Sequence, residues 1–191
     1  GVYFNSISQG FEKLPGRKTG VKFQNKLIED QHTNILTYEY FYNGGGVAIG
    51  DINNDGLDDL FFTGNMTPNA LYLNQGDFKF KNIGKASGVQ GKNAWSTGAT
   101  MVDINGDGYL DIYVCYSGKG NEASRKNELF INQQDNTFID EAEKYGLADP
   151  ANSIQAAFFD FDLDGDLDMY LLNHNTQVIN EIDFDAKRKD R

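Results

Sequence analysis

A nine-residue acidic segment occurs three times in this chain, each time between two short apolar runs. Its copies begin at Asp51, Asp103 and Asp160, so they recur after 52 and 57 residues. A repeat of this length is typical of solenoids and propellers, in which each unit buries its apolar faces against its neighbours. This repeat limits the possible folds more strongly than any other feature of the sequence.

A second motif follows the acidic segment in two of the units. The segment Asn-Ala-Leu-Tyr-Leu-Asn at 69–74 matches Asn-Glu-Leu-Phe-Ile-Asn at 127–132. Each unit has the pattern of four short strands: two flank the acidic loop, a third contains this motif, and a fourth follows a turn. Four antiparallel strands in roughly 50–60 residues are the signature of a propeller blade.

We therefore predict an all-β protein with about three four-stranded antiparallel blades of a partial β-propeller. An acidic loop is expected between the first two strands of each blade. A β-sandwich is the alternative fold, but a sandwich does not require a regular repeat.

The repeat also divides the chain. We predict an N-terminal segment at 1–45 (a closing strand plus an insertion), repeat 1 at 46–97, repeat 2 at 98–154, and an incomplete repeat 3 with a C-terminal tail at 155–191. Within the first segment, Phe4–Ile7 and Gly20–Phe23 resemble the end of a repeat, and the insertion is expected at Ile28–Tyr42. The tail after His174 lacks a strand period and is expected to be helical or frayed.

The acidic loops carry oxygen ligands at alternating positions. Side chains at positions 1, 3, 5 and 9 and the carbonyl at position 7 converge on one point, while a Gly at position 6 permits the turn. The candidate metal ligands are Asp51, Asn53, Asp55, Leu57 and Asp59 in the first loop, Asp103, Asn105, Asp107, Tyr109 and Asp111 in the second, and Asp160, Asp162, Asp164, Asp166 and Asp168 in the third.

This donor set predicts Ca²⁺, about three ions in all. It offers about six or seven hard oxygen ligands, the number that Ca²⁺ favours; Mg²⁺ prefers a tighter octahedron, and Zn²⁺ prefers His or Cys. An EF-hand would need an acidic residue at position 12, where this chain has Phe62, Val114 and Leu171. Three carboxylates held close together would repel one another by roughly 3–12 kcal/mol without a cation.

Charge is concentrated in the same loops. The formal net charge is −11, and the windows 51–59, 103–111 and 160–168 together hold 12 Asp, so the rest of the chain is close to neutral. This balance argues against nucleic acid as a partner. The sequence contains no apolar run of about 20 residues, so we expect no membrane insertion in this segment, and any signal or anchor is expected outside it.

The loops and the strand motif resemble the FG-GAP/VCBS repeat family, which is similar to the propeller head of integrin α subunits. The arrangement also resembles bacterial surface proteins that carry an ASPIC/UnbV-type domain. The resemblance implies calcium between the first two strands of a blade, an extracellular or bacterial cell-surface location, and adhesion or recognition with a protein or glycan partner. Three blades cannot close a ring, so self-association through open blade edges is also possible.

We expect a binding module and not an enzyme. The alternative is a catalytic or non-catalytic part of a surface enzyme that processes polysaccharides or phosphoesters. However, the aspartates are already assigned as ligands, and His32 and His174 lie in no catalytic motif. Trp95 and Tyr116 are candidates for contact with a partner, although packing in the core or between blades is the favoured explanation, because aromatic side chains bury large areas.

Overall fold

The structure of the protein, a computed structural model, describes residues 12–92 and 94–175. The strand expected at Phe4–Ile7 and nearly all of the predicted tail lie outside these residues. The described part contains ten strands and two four-residue helices, α1 (Gly16–Thr19) and α2 (Glu122–Arg125). No helix in it is long and apolar enough to cross a membrane.

The first sheet contains the first four strands in sequence order, each antiparallel to the next. They are β1 (Val47–Gly50), β2 (Asp59–Phe62), β3 (Ala70–Asn74) and β4 (Phe80–Asn82). The acidic loop joins β1 to β2, and the turn after Gln75 joins β3 to β4, with Gly76 at φ 80°. Neighbouring strands in sequence are therefore neighbours in space, as a blade requires.

The second sheet repeats this topology, and the third contains two strands. The second consists of β5 (Trp95–Val102), β6 (Asp111–Ser117), β7 (Glu128–Asn132) and β8 (Phe138–Asp140). The third pairs β9 (Ser153–Phe159) with β10 (Asp168–Asn173) in antiparallel register. The predicted all-β architecture of antiparallel blades is confirmed, and the described part of the third blade ends after its second strand.

The blades pack face to face through one repeated interface. Phe61 and Leu71 from one face of the first sheet share a core with Ile112 and Val114 of the second. The opposite face of the second sheet packs in the same way on the third, where Tyr113 contacts Phe158 edge-on at 5.5 Å. Both faces of the second sheet are thus covered, and every residue of β6 is buried. Each fully buried large side chain contributes about 1.5–3 kcal/mol to the free energy of unfolding.

The two end blades each leave an apolar face open. On the first blade, Val47 and Ile49 are 55% and 60% exposed, and on the third Tyr170 and Leu172 are 65% and 48% exposed. By the repeat, these faces correspond to those that are buried between neighbouring blades. N-terminal residues cover part of the first face, where the ring of Phe23 stacks on that of Phe62 at 5.2 Å.

The N-terminal insertion crosses to the second and third blades. We call residues 28–43 the strap. The Tyr38 hydroxyl lies 2.9 Å from Ser117 Oγ, the ring of Tyr40 lies tilted against that of His174 with centroids 4.1 Å apart, and Phe41 is completely buried. The strap therefore lies over the ends of β6 and β10 that are remote from the acidic loops.

Candidate metal centres

The first acidic loop is organised by its own carboxylates. Asp51 accepts hydrogen bonds from the backbone N–H groups of Asp55 (3.1 Å) and Gly56 (2.7 Å). Asp55 in turn accepts one from the N–H of Leu57 at 2.9 Å. These bonds are local, so the loop sequence itself dictates the turn.

The other two loops have the same pattern. Asp103 accepts from the N–H groups of Asp107 and Gly108 at 3.0 and 2.8 Å, and Asp160 accepts from those of Asp164 and Gly165 at 3.2 and 3.1 Å. The three segments that the repeat predicted as equivalent therefore fold alike.

Two positions of each loop adopt left-handed backbone. The glycines at position 6 have φ values of 84°, 87° and 97° (Gly56, Gly108 and Gly165), as expected from the sequence. Position 4 is left-handed too, with φ values of 58° at Asn54, 70° at Gly106 and 63° at Leu163. Asn and Gly tolerate this conformation, but a Leu does so only at a cost.

The aspartate at position 9 fastens its loop to the sheet. Asp59 accepts from the N–H of Ile52 at 3.1 Å and from that of Asn74 in β3 at 2.7 Å. Asp111 accepts equivalently from Ile104 and from Asn132 in β7. Each carboxylate oxygen that accepts one hydrogen bond keeps further acceptor capacity for a cation.

Burial distinguishes the position 9 carboxylates. Asp59 and Asp111 are completely buried, and burial raises the pKa of Asp59 and that of Asp111, the latter to about 6. Asp168 accepts from the N–H of Phe161 at 2.8 Å but remains exposed. Its blade has no third strand within the described residues to cover it.

The third loop brings three carboxylates together. Ligand oxygens of Asp160, Asp162 and Asp168 all lie within 4.8 Å of one another. In the same loop, the negative charge of Asp164 raises the pKa of Asp166. The first two loops replace one carboxylate with Asn53 and Asn105, whose amide oxygens are equally hard donors.

The donor set fits calcium. All the candidate ligand atoms are oxygens, and no hydrogen bond within the described residues engages the position 7 carbonyls of Leu57, Tyr109 and Asp166. The sequence marked these candidate ligands by spacing, and in the third loop the fold brings three of the carboxylates together. A bound dication would offset the repulsion among them.

Sequence reasoning missed the contacts that join neighbouring loops. Asn54 Nδ2 donates to the carbonyl of Gly108 at 2.9 Å, and Asn132 Nδ2 donates to the carbonyls of Ile52 and Leu110 at 2.8 and 3.1 Å. The recurrence of Asn at 74 and 132 was the available signal. Both residues hold the carbonyl at position 8 of their own loop, and Asn132 also reaches the preceding blade.

The aromatic and histidine residues considered in the sequence lie at the strand ends opposite to the acidic loops. Tyr116 is completely buried and donates a hydrogen bond from its hydroxyl to Glu128, so it is a packing residue. Trp95 is half-buried against the strap. His174 Nε2 lies 2.7 Å from Ser117 Oγ, which is buried and also contacts Tyr38 and Asn152.

Stacked four-stranded antiparallel sheets, each with an acidic loop between its first two strands, define a β-propeller-blade repeat protein. Residues 34–114 match the FG-GAP-like repeat family. These residues therefore carry an FG-GAP-like repeat, which confirms the resemblance seen in the loop and strand motifs.

The chain is also similar to curated proteins from three organisms. The chain is similar to cartilage acidic protein 1 from Xenopus tropicalis (34% identity over 69% of this chain) and from Mus musculus (30% over 68%). It is also similar to a T-cell immunomodulatory protein homolog from Plasmodium yoelii yoelii, with 30% identity over 78% of this chain. The chain spans only 20–23% of the length of these curated relatives.

Proposed function

We propose that this chain is a calcium-stabilised module for recognition or adhesion outside the cell. The observation that carries the proposal is the convergence of carboxylate oxygens in the third loop, within a hydrogen-bond pattern that all three loops share. Calcium would act structurally, by holding each loop between two strands that pack against the next blade. The exposed surfaces would then meet a protein or glycan partner.

The location rests on the class of repeat. FG-GAP-like repeats match residues 34–114, and such repeats suggest an extracellular recognition module. Surface labelling of intact cells that express the parent protein would test the location. Labelling of the repeats on intact cells is the expected result, and labelling only after lysis would contradict it.

A catalytic role is less well supported. Ser117 and His174 are within hydrogen-bond distance, as a nucleophile and its base would be. However, Ser117 is only 3% exposed, and its hydroxyl is also engaged with Tyr38 and Asn152. We therefore propose that this cluster joins the strap to the blades and that the module is not an enzyme.

Thermal unfolding with and without calcium tests the proposal. Each loop that binds with a Kd near 10 μM should add about 2.7 kcal/mol to the free energy of unfolding at 1 mM Ca²⁺. The measurement compares about 1 mM Ca²⁺, the same concentration of Mg²⁺, and EDTA. Equal melting temperatures in all three conditions would refute the proposal.

A matched pair of variants assigns the effect to a ligand position. Asp51→Asn removes the charge at position 1, whereas Asp58→Asn removes a charge at position 8 of the same loop, which is not a ligand position. We expect the first to lose about 2–3 kcal/mol of the calcium-induced stabilisation and the second to retain it. Equal losses would indicate a general charge effect in place of a site.

A further inference from the structure

A cavity of about 240 Å³ lies between the strap and the second blade. Its walls include Tyr38 and Phe41 of the strap, Trp95 at the start of β5, and Ser117 at the end of β6. The metal loop of this blade lies at the other end of the same strands, and the eight residues of β5 span about 25 Å. The cavity is therefore separate from the metal centres.

The aromatic wall of the cavity is held in place. The Trp95 ring meets that of Tyr38 edge-on at 5.4 Å and lies tilted against that of Phe41 at 5.5 Å. The Tyr38 hydroxyl is hydrogen-bonded to Ser117. Ser117 Oγ is itself held by the side-chain oxygen of Asn152 at 3.0 Å. A wall that is ordered before a ligand arrives loses little conformational entropy on binding.

Basic side chains line the cavity. Lys119 and His32 line it, and no carboxylate among the described residues does. The Lys119 ammonium forms no ion pair within the described chain. Asp30 is near His32 but accepts the backbone N–H groups of His32 and Thr33 outside the cavity lining. Lys119 therefore offers a positive charge that no carboxylate of the described lining offsets.

We propose that this cavity binds one ring of an acidic saccharide, a sugar that carries a carboxylate or a sulfate group. The inference rests on the recognition role proposed above and names the partner. The accessible part of Trp95 suits the apolar face of a sugar ring, the hydroxyl groups of Thr33 and Ser124 line the same space, and Lys119 would pair with the anionic group. The volume is below the roughly 300–1,000 Å³ of pockets for drug-sized ligands, which suits a single ring.

Trp95 is the one tryptophan of the chain, so its fluorescence reports directly on this cavity. The calcium-loaded protein is titrated with a disaccharide that contains glucuronic acid, with a sulfated disaccharide, with an uncharged disaccharide and with inorganic sulfate. We expect a saturable fluorescence change with at least one acidic sugar, at concentrations at least about tenfold below those needed for the uncharged sugar. No change with any acidic sugar, or an equal response to inorganic sulfate, would overturn the proposal.

Variants separate this cavity from the acidic loops. Lys119→Gln should weaken binding of the acidic sugar about tenfold, because it removes a charged hydrogen-bond donor. Lys119→Arg should largely restore it, and Lys79→Gln, an exposed lysine outside the cavity, should leave it unchanged. Equal affinity for Lys119→Gln and the parent chain would refute the assignment.

The outcome is independent of the calcium test. Asp58→Asn, at an exposed residue outside both the cavity and the proposed ligand set, should leave the tryptophan titration unchanged. A protein that shows calcium stabilisation but no saccharide signal would retain the proposed module and lose this partner. Saccharide binding without calcium stabilisation would support this partner and refute the proposed calcium sites.

Discussion

The side-chain amide of Asn132 donates a hydrogen bond to the main-chain carbonyl of Ile52 over 2.8 Å, which joins the second blade to the acidic loop of the first. The same amide also donates to the carbonyl of Leu110 in its own blade. One buried side chain thus connects two successive loops that are 52 residues apart in the sequence.

Replacement of this residue should weaken the contact between blades. We expect Asn132→Ala to lower the free energy of unfolding by about 2–3 kcal/mol, because two carbonyls lose their donor and one of them lies in the neighbouring blade. The matched variant Asn74→Ala removes a donor to Asp58 within its own blade and should cost about 1 kcal/mol. Chemical denaturation in 1 mM calcium measures both, and equal costs would contradict the role of Asn132 between blades.

A second prediction concerns the backbone of the third loop. Leu163 has φ 63°, where Asn54 and Gly106 stand in the other loops. Leu163→Gly should raise the free energy of unfolding by about 1 kcal/mol, because glycine adopts this conformation without strain. The reciprocal Gly106→Leu should lower it by a similar amount. If neither substitution changes the melting temperature, the backbone at position 4 carries no strain.

A third prediction concerns pH. Burial raises the pKa of Glu128; the hydrogen bond that Glu128 accepts from the Tyr116 hydroxyl and the charge of Lys92 oppose this shift, and the charge of Asp140 supports it. The folded state therefore binds the proton more tightly than the unfolded state. This contribution to stability is complete below the ordinary pKa of 4.5 and is lost as pH rises through the folded value.

Glu128→Gln should remove that part of the pH dependence, because glutamine imitates the protonated side chain. At neutral pH the variant should be at least as stable as the parent chain. Denaturation at a series of pH values in calcium, with the exposed Glu122→Gln as control, measures the effect. An unchanged pH profile for Glu128→Gln would contradict it.

A fourth prediction concerns the open face of the first blade. Val47 and Ile49 are exposed there, although the equivalent face of the second blade is buried. We expect the isolated chain to self-associate at high concentration, because a large apolar face favours burial. Ile49→Lys should shift the association to at least about tenfold higher concentration.

Sedimentation over a range of concentrations tests this expectation. Leu36→Lys is the control, because Leu36 is 93% exposed on the strap and lies outside the blade face. Self-association that Ile49→Lys leaves unchanged would contradict an interface at this face.

The local features of this protein followed from the sequence. The acidic loops folded as their spacing indicated, because the hydrogen bonds that shape each turn join residues at most seven positions apart. The four-stranded blades also followed, since each strand pairs with the next one along the chain. The left-handed backbone at position 4 was missed because its three residues differ in type.

Contacts between distant residues required the tertiary structure. The sequence identified an insertion at Ile28–Tyr42 but gave no sign that it would cover Trp95 and Ser117. It marked Asp59, Asp111 and Asp168 as equivalent. The first two are buried in blades that have a third strand, whereas Asp168 is exposed in a blade with no third strand among the described residues. Spacing within a few residues determines a turn or a ligand set, because backbone geometry alone connects those atoms. Burial, the contacts between blades and the cavity under the strap depend on how whole sheets pack, which no local pattern records.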